Sequence, residues 1–318
     1  MNKIFKVIWN NAKHCYVVAS ELAKSYSRGG SRRSIRRAAI AVGVAAAVYT
    51  TAGSALAVID GGDLDTSGNY TGHSPYNVII DNSNVTGNVY GHKGNDSEDV
   101  EEASVDIVNG GTVNNSVYGG YTNSGTASSN SVNISDGTIN ATVSGGFSIS
   151  GISASNSVNI LGGNIEQDVY GAYSKSGEAT NNSVNISGGS MTNVIGGYSY
   201  EVKSASNSVN ISGGSMANVY GGYSQESNAV NNSTIISGDT TLISEEAYGG
   251  KSYSGNAESN SAIISGGNIK SATGGYSYSS DAASNSVNVS GGSLKKFWVV
   301  ILIPVIPLAI LSTSVAER

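Results

Sequence analysis

A short word of alternating branched side chains recurs nine times along this chain, and no other property narrows the fold as far. The copies are Val78-Ile79-Ile80, Val105-Asp106-Ile107, Val132-Asn133-Ile134, Val158-Asn159-Ile160, Val184-Asn185-Ile186, Val209-Asn210-Ile211, Thr234-Ile235-Ile236, Ala262-Ile263-Ile264 and Val287-Asn288-Val289. Successive starts lie 27, 27, 26, 26, 25, 25, 28 and 25 residues apart. A sustained period in this range marks a repeat architecture, in which one unit cannot bury its apolar face without neighbours.

The internal order of a unit is clearest from Asn207 to Ser224, which reads NSVNISGGSMANVYGGYS. Alternation over Val209 and Ile211 puts two branched side chains on one face of a strand and leaves Ser and Asn on the other. Gly213-Gly214 then permits a tight corner, Met216 and Val219 re-enter the core, and Gly221-Gly222 is expected to turn the chain again. The polar, variable stretch from Gln225 to Asn231 reads as an outward loop. Four to six inward side chains cannot offset the backbone entropy of ordering some 25 residues, so an isolated unit does not fold. Stacked as rungs, identical strands hydrogen-bond above and below and their side chains form one column. The expected fold is all-β: a parallel β-solenoid, a right-handed β-helix of about nine coils, following an N-terminal helical signal region.

The first 57 residues differ from the rest, holding 9 Lys/Arg and 1 acid. Arg28, Arg32, Arg33, Arg36 and Arg37 precede a small-residue apolar run, Ala38 to Val48, and then Ala55-Leu56-Ala57. Basic, apolar and small-residue segments in that order form a secretory signal, with cleavage expected between Ala57 and Val58. The run is too short and too rich in Ala and Gly for a membrane span. Ahead of it stand Asn2-Lys3-Ile4, Lys6-Val7-Ile8-Trp9-Asn10, Cys15, Val17-Val18, Ser20-Glu21-Leu22 and Lys24. These residues resemble the extended signal peptide region of type V secretion, found on autotransporters, trimeric adhesins and two-partner exoproteins of Gram-negative bacteria. The resemblance implies export by the inner-membrane machinery to the periplasm, then display at the cell surface and outer membrane, or release to the medium. His14 and Cys15, a candidate catalytic pair elsewhere, would be removed with the signal. The YGGYS and NSVNISGG words resemble passenger regions of autotransporter-like surface proteins over about residues 76–294. The segments expected are 1–27, the extended signal region; 28–57, the rest of the signal; 58–75, a lead-in; 76–296, the solenoid; and 297–318, an apolar tail.

Stacking places Tyr121, Phe147, Tyr173, Tyr198, Tyr223 and Tyr276 in one aromatic row, interrupted by Lys251, with a patchier row of Tyr90, Tyr118, Tyr170, Tyr220 and Tyr248 beside it. Such a row either holds neighbouring rungs together or faces a ligand such as an extended glycan. Asn130, Asn156, Asn182, Asn207, Asn232, Asn260 and Asn285, each just before a strand, are expected to form an amide ladder at a corner.

The chain beyond residue 57 carries 8 basic and 22 acidic residues. This excludes nucleic acid as a partner, since phosphate binding needs a basic footprint, and gives no attraction to anionic lipid. The lone Cys15 excludes a disulfide framework and a Cys-based metal cluster. No Ser nucleophile elbow is present, and His73 and His92 both precede the regular array. Asp96, Glu98, Asp99, Glu101 and Glu102, like Glu245 with Glu246, read as solvated loop charges, with weak Ca²⁺ binding as the alternative, since carboxylates so close together gain from a shared divalent ion. Neither enzymatic activity nor a cofactor is expected, and no catalytic or metal-binding residue is assigned.

After Lys295-Lys296 the repeat pattern gives way to apolar residues from Phe297 to Leu311, with Pro304 and Pro307 among them. The expectation is a reading-frame slip or truncation, or else a C-terminal membrane anchor, with the alternating strands of a translocating barrel missing. A missing translocator would leave the product in the periplasm.

The functional expectation is therefore a secreted, surface-displayed passenger, adhesin-like, whose partners are host or bacterial surface glycans or proteins. The alternatives are a trimeric autotransporter head, whose coils repeat at about half this length, and a β-helix enzyme that degrades polysaccharides.

Overall fold

The computed structural model describes residues 5–10, 15–20 and 58–302, in two units, 1–54 and 55–318. In the first unit Phe5–Asn10 and Cys15–Ser20 pair antiparallel, from Phe5 with Ser20 to Asn10 with Cys15. The helix expected of the signal region is thus replaced by strands in these residues, where Val7, Ile8, Val17 and Val18 favour extended backbone. The remainder of the signal, Ala57 at the expected cleavage included, lies outside the described residues.

The second unit is a parallel β-solenoid, as the repeat demands. All nine copies of the branched word align in a ten-stranded sheet, residue on residue, from Val78 beside Val105 to Ala262 beside Val287. One turn therefore consumes a whole repeat of 25–28 residues, twice the coil expected of a trimeric head. Four inward columns make up the hydrophobic cluster. Two come from the branched word, a third runs through Val113, Ile139, Ile165, Met191, Met216 and Ile243, and a fourth through Val117, Val143, Val169, Val194 and Val219. Thr234 sits where most rungs have Val and the next has Ala262, and its buried hydroxyl donates to the Tyr248 carbonyl at 2.6 Å.

Gly214, at φ +93°, makes the corner after the branched strand as expected. Gly221-Gly222 does not turn the chain: both lie inside the strand Ser215–Ser224. Glycine is needed there for closeness, since a Cβ on Gly221 would stand 2.3 Å from the Gly249 carbonyl oxygen one rung along. The stretch from Gln225 to Asn231 is likewise not all loop. Ala229–Val230 belongs to a third sheet of eight two-residue strands, with Ala127, Ser153, Ala179, Ser204 and Ala229 buried inward.

The corner from this sheet back to the branched word uses a left-handed residue followed by a buried Asn. Ser129, Ser155, Asn181, Ser206 and Asn231 hold φ of 55–57°, and Asn130, Asn156, Asn182, Asn207 and Asn232 follow. The expected amide ladder runs through them. The Oδ1 of Asn130 accepts the Ala103 N–H, and from Asn156 on each Oδ1 accepts both the backbone and the side-chain N–H of the preceding Asn, as at Asn207 to Asn232, both 3.0 Å. Each Nδ2 also reaches a carbonyl, as Asn207 does at Ala179, 2.9 Å.

At its N-terminal end the solenoid is covered by antiparallel strands. Val58–Asp60 pairs with Asn77–Asp81, and Gly62–Leu64 with Tyr70–Gly72, whose Tyr70 is buried and accepts the Gly62 N–H at 2.9 Å. At the other end Ser293–Leu302 pairs in register with Asn268–Ser277. The repeat thus continues six residues beyond its expected limit at 296, and the start of the apolar tail is a strand. Leu294 and Phe297 fall in the inward register of Ile269 and Ala272, and the Val-Ile run favours strand. Among the described residues no helix is long and apolar enough to cross a membrane; residues 303–318 lie outside them.

Candidate functional site

The aromatic rows arise from one strand word. In Val117–Thr122 the side chains of Val117 and Thr122 are buried, while Tyr118 and Tyr121 are half-buried on the outer face. Gly119-Gly120 between them carries no side chain, so the two rings meet edge to face at 5.4 Å and 73°. Repetition of the word in register carries this pair along the sheet.

The six row residues expected from sequence align as expected. Register runs from Tyr121 through Phe147, Tyr173 and Tyr198 to Tyr223, then Lys251 and Tyr276. Ring stacking is parallel from Tyr121 to Phe147 (5.1 Å), Phe147 to Tyr173 (4.7 Å) and Tyr173 to Tyr198 (5.0 Å). It breaks at Tyr223, which stands at 84° to Tyr198, in the rung after Ile195 takes the second row's aromatic place. The second row then carries the contact: Tyr223 to Tyr220, Tyr220 to Tyr248 at 5.2 Å, and Tyr248 to Tyr276 edge-on at 5.8 Å. With Tyr90 against Tyr118 at 5.2 Å, ring touches ring from Tyr90 to Tyr276.

Polar groups flank the rings. Tyr170 donates its hydroxyl to Asp168 at 3.0 Å, Tyr223 donates to Gln225 at 2.7 Å, and Tyr248 donates to Glu246. Asn193 ties Asp168 to Asn218, which in turn accepts the Glu246 backbone N–H at 3.2 Å. Burial pushes the phenols of Tyr170, Tyr198 and Tyr220 well up, with Asp168 adding at Tyr170 and Glu246 at Tyr220; Tyr90 rises to about 12, also through burial. These hydroxyls stay protonated at neutral pH and serve as hydrogen-bonding groups.

Lys251, which interrupts the aromatic row between Tyr223 and Tyr276, is the centre of a cage. Its Nζ lies 5.4, 5.4, 5.2 and 5.5 Å from the ring centres of Tyr220, Tyr223, Tyr248 and Tyr276. Burial pulls its pKa down and Glu246 opposes that. Lys93 stands in the same row, 5.1 Å from the ring centre of Tyr90. The signal that marks both residues is register: a cation at an otherwise aromatic position gains a ring quadrupole as partner. Two further rings, Tyr253 and Tyr278, stack at 4.7 Å on exposed turns.

His92 takes the register of Gly120, within the first coil rather than ahead of the array. It stacks on Tyr76 at 3.8 Å with Nε2 3.6 Å from Glu98 Oε1, and burial lowers its pKa. No group of three or more His, Cys, Asp or Glu placed to hold a metal occurs among the described residues.

Residues 1–50 match the family model described as the Extended Signal Peptide of Type V secretion system. The N-terminal segment is a type V secretion signal region. It implies export through the inner-membrane machinery, so the solenoid that follows the signal region is an exported, passenger-like body. No curated protein and no solved structure matches the chain.

Proposed function

We propose that the solenoid is a surface-displayed, adhesin-like passenger that holds glycans against its tyrosine rows, without catalysis. The unbroken path of ring contacts from Tyr90 to Tyr276 carries this reading. With the faces stacked on one another, Tyr offers a sugar its ring edge and rim hydroxyl, on few rotatable bonds. A rung spacing of about 4.8 Å repeats that offer along an extended polymer. Mounting the rows on a sheet rather than on loops fixes them before a ligand arrives, which limits the entropy lost on binding.

The test is binding of the purified full chain to a panel of glycans and matrix proteins, alongside Tyr173→Ala and Tyr198→Ala. Retention of glycans by the parent, lost in the variants at unchanged strand content, supports the proposal. Failure to retain any glycan removes it, and release of shortened sugars replaces it with the enzyme reading.

A further inference from the structure

Between Lys93 and Tyr276 every position of the first row is aromatic or lysine. The cation at Lys251 differs from its neighbours in what it touches. Lys203 pairs with Glu178 at 3.3 Å and Lys270 with Glu245 at 2.6 Å, both at exposed positions. Lys251 is half-buried, and among the described residues its Nζ has only the four ring faces, with neither an ion pair nor a hydrogen bond. The nearest acid in its field, Glu246, accepts the Tyr248 hydroxyl instead.

An ammonium taken partly out of water keeps three N–H donors to satisfy, and ring faces accept none of them well. The strongest available partner is an anion, because charge-assisted hydrogen bonds are about twice as strong as neutral ones. Asp168 and Glu246, the acids that flank the rows, already accept tyrosine hydroxyls. The aromatic row thus presents ring edges with one unspent positive charge set among them.

We propose that the rows select carboxylated glycans, with the sugar against the outer edges of Tyr223 and Tyr276 and the carboxylate on Lys251 Nζ. The inference rests on the glycan-binding reading above and names its ligand class; Lys251 becomes the specificity-determining residue. Lys93, beside Tyr90, offers a second such cation at the other end of the row.

The experiment measures binding of the full chain to two matched pairs, sialyllactose against lactose and trigalacturonate against its methyl ester. The pairs distinguish a terminal acidic sugar from a polyuronate backbone. The proposal expects at least one acidic member to bind about tenfold tighter than its neutral partner, the scale of one charge-assisted contact. Lys251→Tyr restores the ring that other rungs carry, so it is expected to keep the fold, read as unchanged strand content, while cutting the acid preference within each pair to about twofold or less. Equal binding within both pairs, or an acid preference that survives Lys251→Tyr, overturns the inference and leaves glycan binding standing. Binding to none of the four overturns the inference, and if no glycan is retained from the wider panel it overturns the glycan reading as well.

Discussion

Asn156 donates its backbone N–H and its side-chain Nδ2 to one acceptor, Oδ1 of Asn182, at 2.9 and 3.1 Å. Both residues are buried, so no water stands by to replace that oxygen. Asn182→Ala therefore strands the Asn156 backbone donor, leaves Asn156 Nδ2 with the Ala127 carbonyl at 2.9 Å and Ser153 Oγ at 3.3 Å, and takes from the Ser153 carbonyl the Asn182 Nδ2 that meets it at 3.0 Å. The expected loss is about 2–4 kcal/mol, given about 1–3 per buried unsatisfied group and partial relaxation. Chemical denaturation of the variant against the parent reads it, and a midpoint unchanged within error would show that the ladder is decorative.

Two adjacent glycines make unequal predictions. A Cβ on Gly145 would sit 2.5 Å from the Gly171 carbonyl oxygen and 2.8 Å from that of Ser157, both backbone atoms that cannot swing away. On Gly146 the nearest atom is the Asn156 side-chain amide, and the aligned position one rung on is Ala172. Gly145→Ala is expected to cost about 1–3 kcal/mol or prevent folding, and Gly146→Ala markedly less. Thermal melts of the two variants check the order, which reverses if local glycine flexibility rather than rung spacing is what matters.

The branched word was fully legible in the sequence because period-two alternation of Val and Ile has only one buried face, and all nine copies fall in register. The amide ladder was legible for a similar reason, since an Asn at one fixed offset must meet its own copy. The third sheet was not. Its inward residues are Ala and Ser in two-residue strands, a composition shared with polar loops, and only the stacked neighbours reveal that Ala179 or Ser204 is fully buried. Glycine carries the same ambiguity: in Gly221-Gly222 it signals close approach, in Gly214 a left-handed turn, and the letter does not distinguish them. Within the candidate site the row of six rings could be read from the period, whereas the cage around Lys251 depends on which way four rings turn.

Raised phenol pKa values give the solenoid a defined alkaline limit. Tyr90 ionises near pH 12 when folded and near 10 when unfolded, so between those values the folded state holds the extra proton. Stability from this group is fully present below about pH 10 and lost as pH climbs through about 12, because the unfolded chain then binds fewer protons. Tyr170, Tyr198 and Tyr220, pushed further up, extend the trend in the same direction. Titration followed by tyrosinate absorbance is expected to show these phenols silent near pH 10 and released only with unfolding. Smooth ionisation of all tyrosines around pH 10 at full strand content would mean that the rows are solvated.

Removal of one coil separates a continuous solenoid from a string of independent units. Deleting residues 182–206 joins Asn181 to Asn207, which follows the left-handed residue just as Asn182 did, so every remaining strand keeps its register. Deleting 182–193, of about half the length, instead places Val194 where Asn182 belongs and puts every later column out of phase. In a stack held together by nearest-neighbour interfaces, the whole-coil deletion is expected to fold cooperatively with a denaturant slope lower by about a tenth, in proportion to the surface lost. The half-coil deletion is expected to lose its cooperative transition, or to unfold in two steps on either side of the break. Independent units would respond differently, with both deletions leaving the main transition where it was, because no copy would depend on the phase of the next.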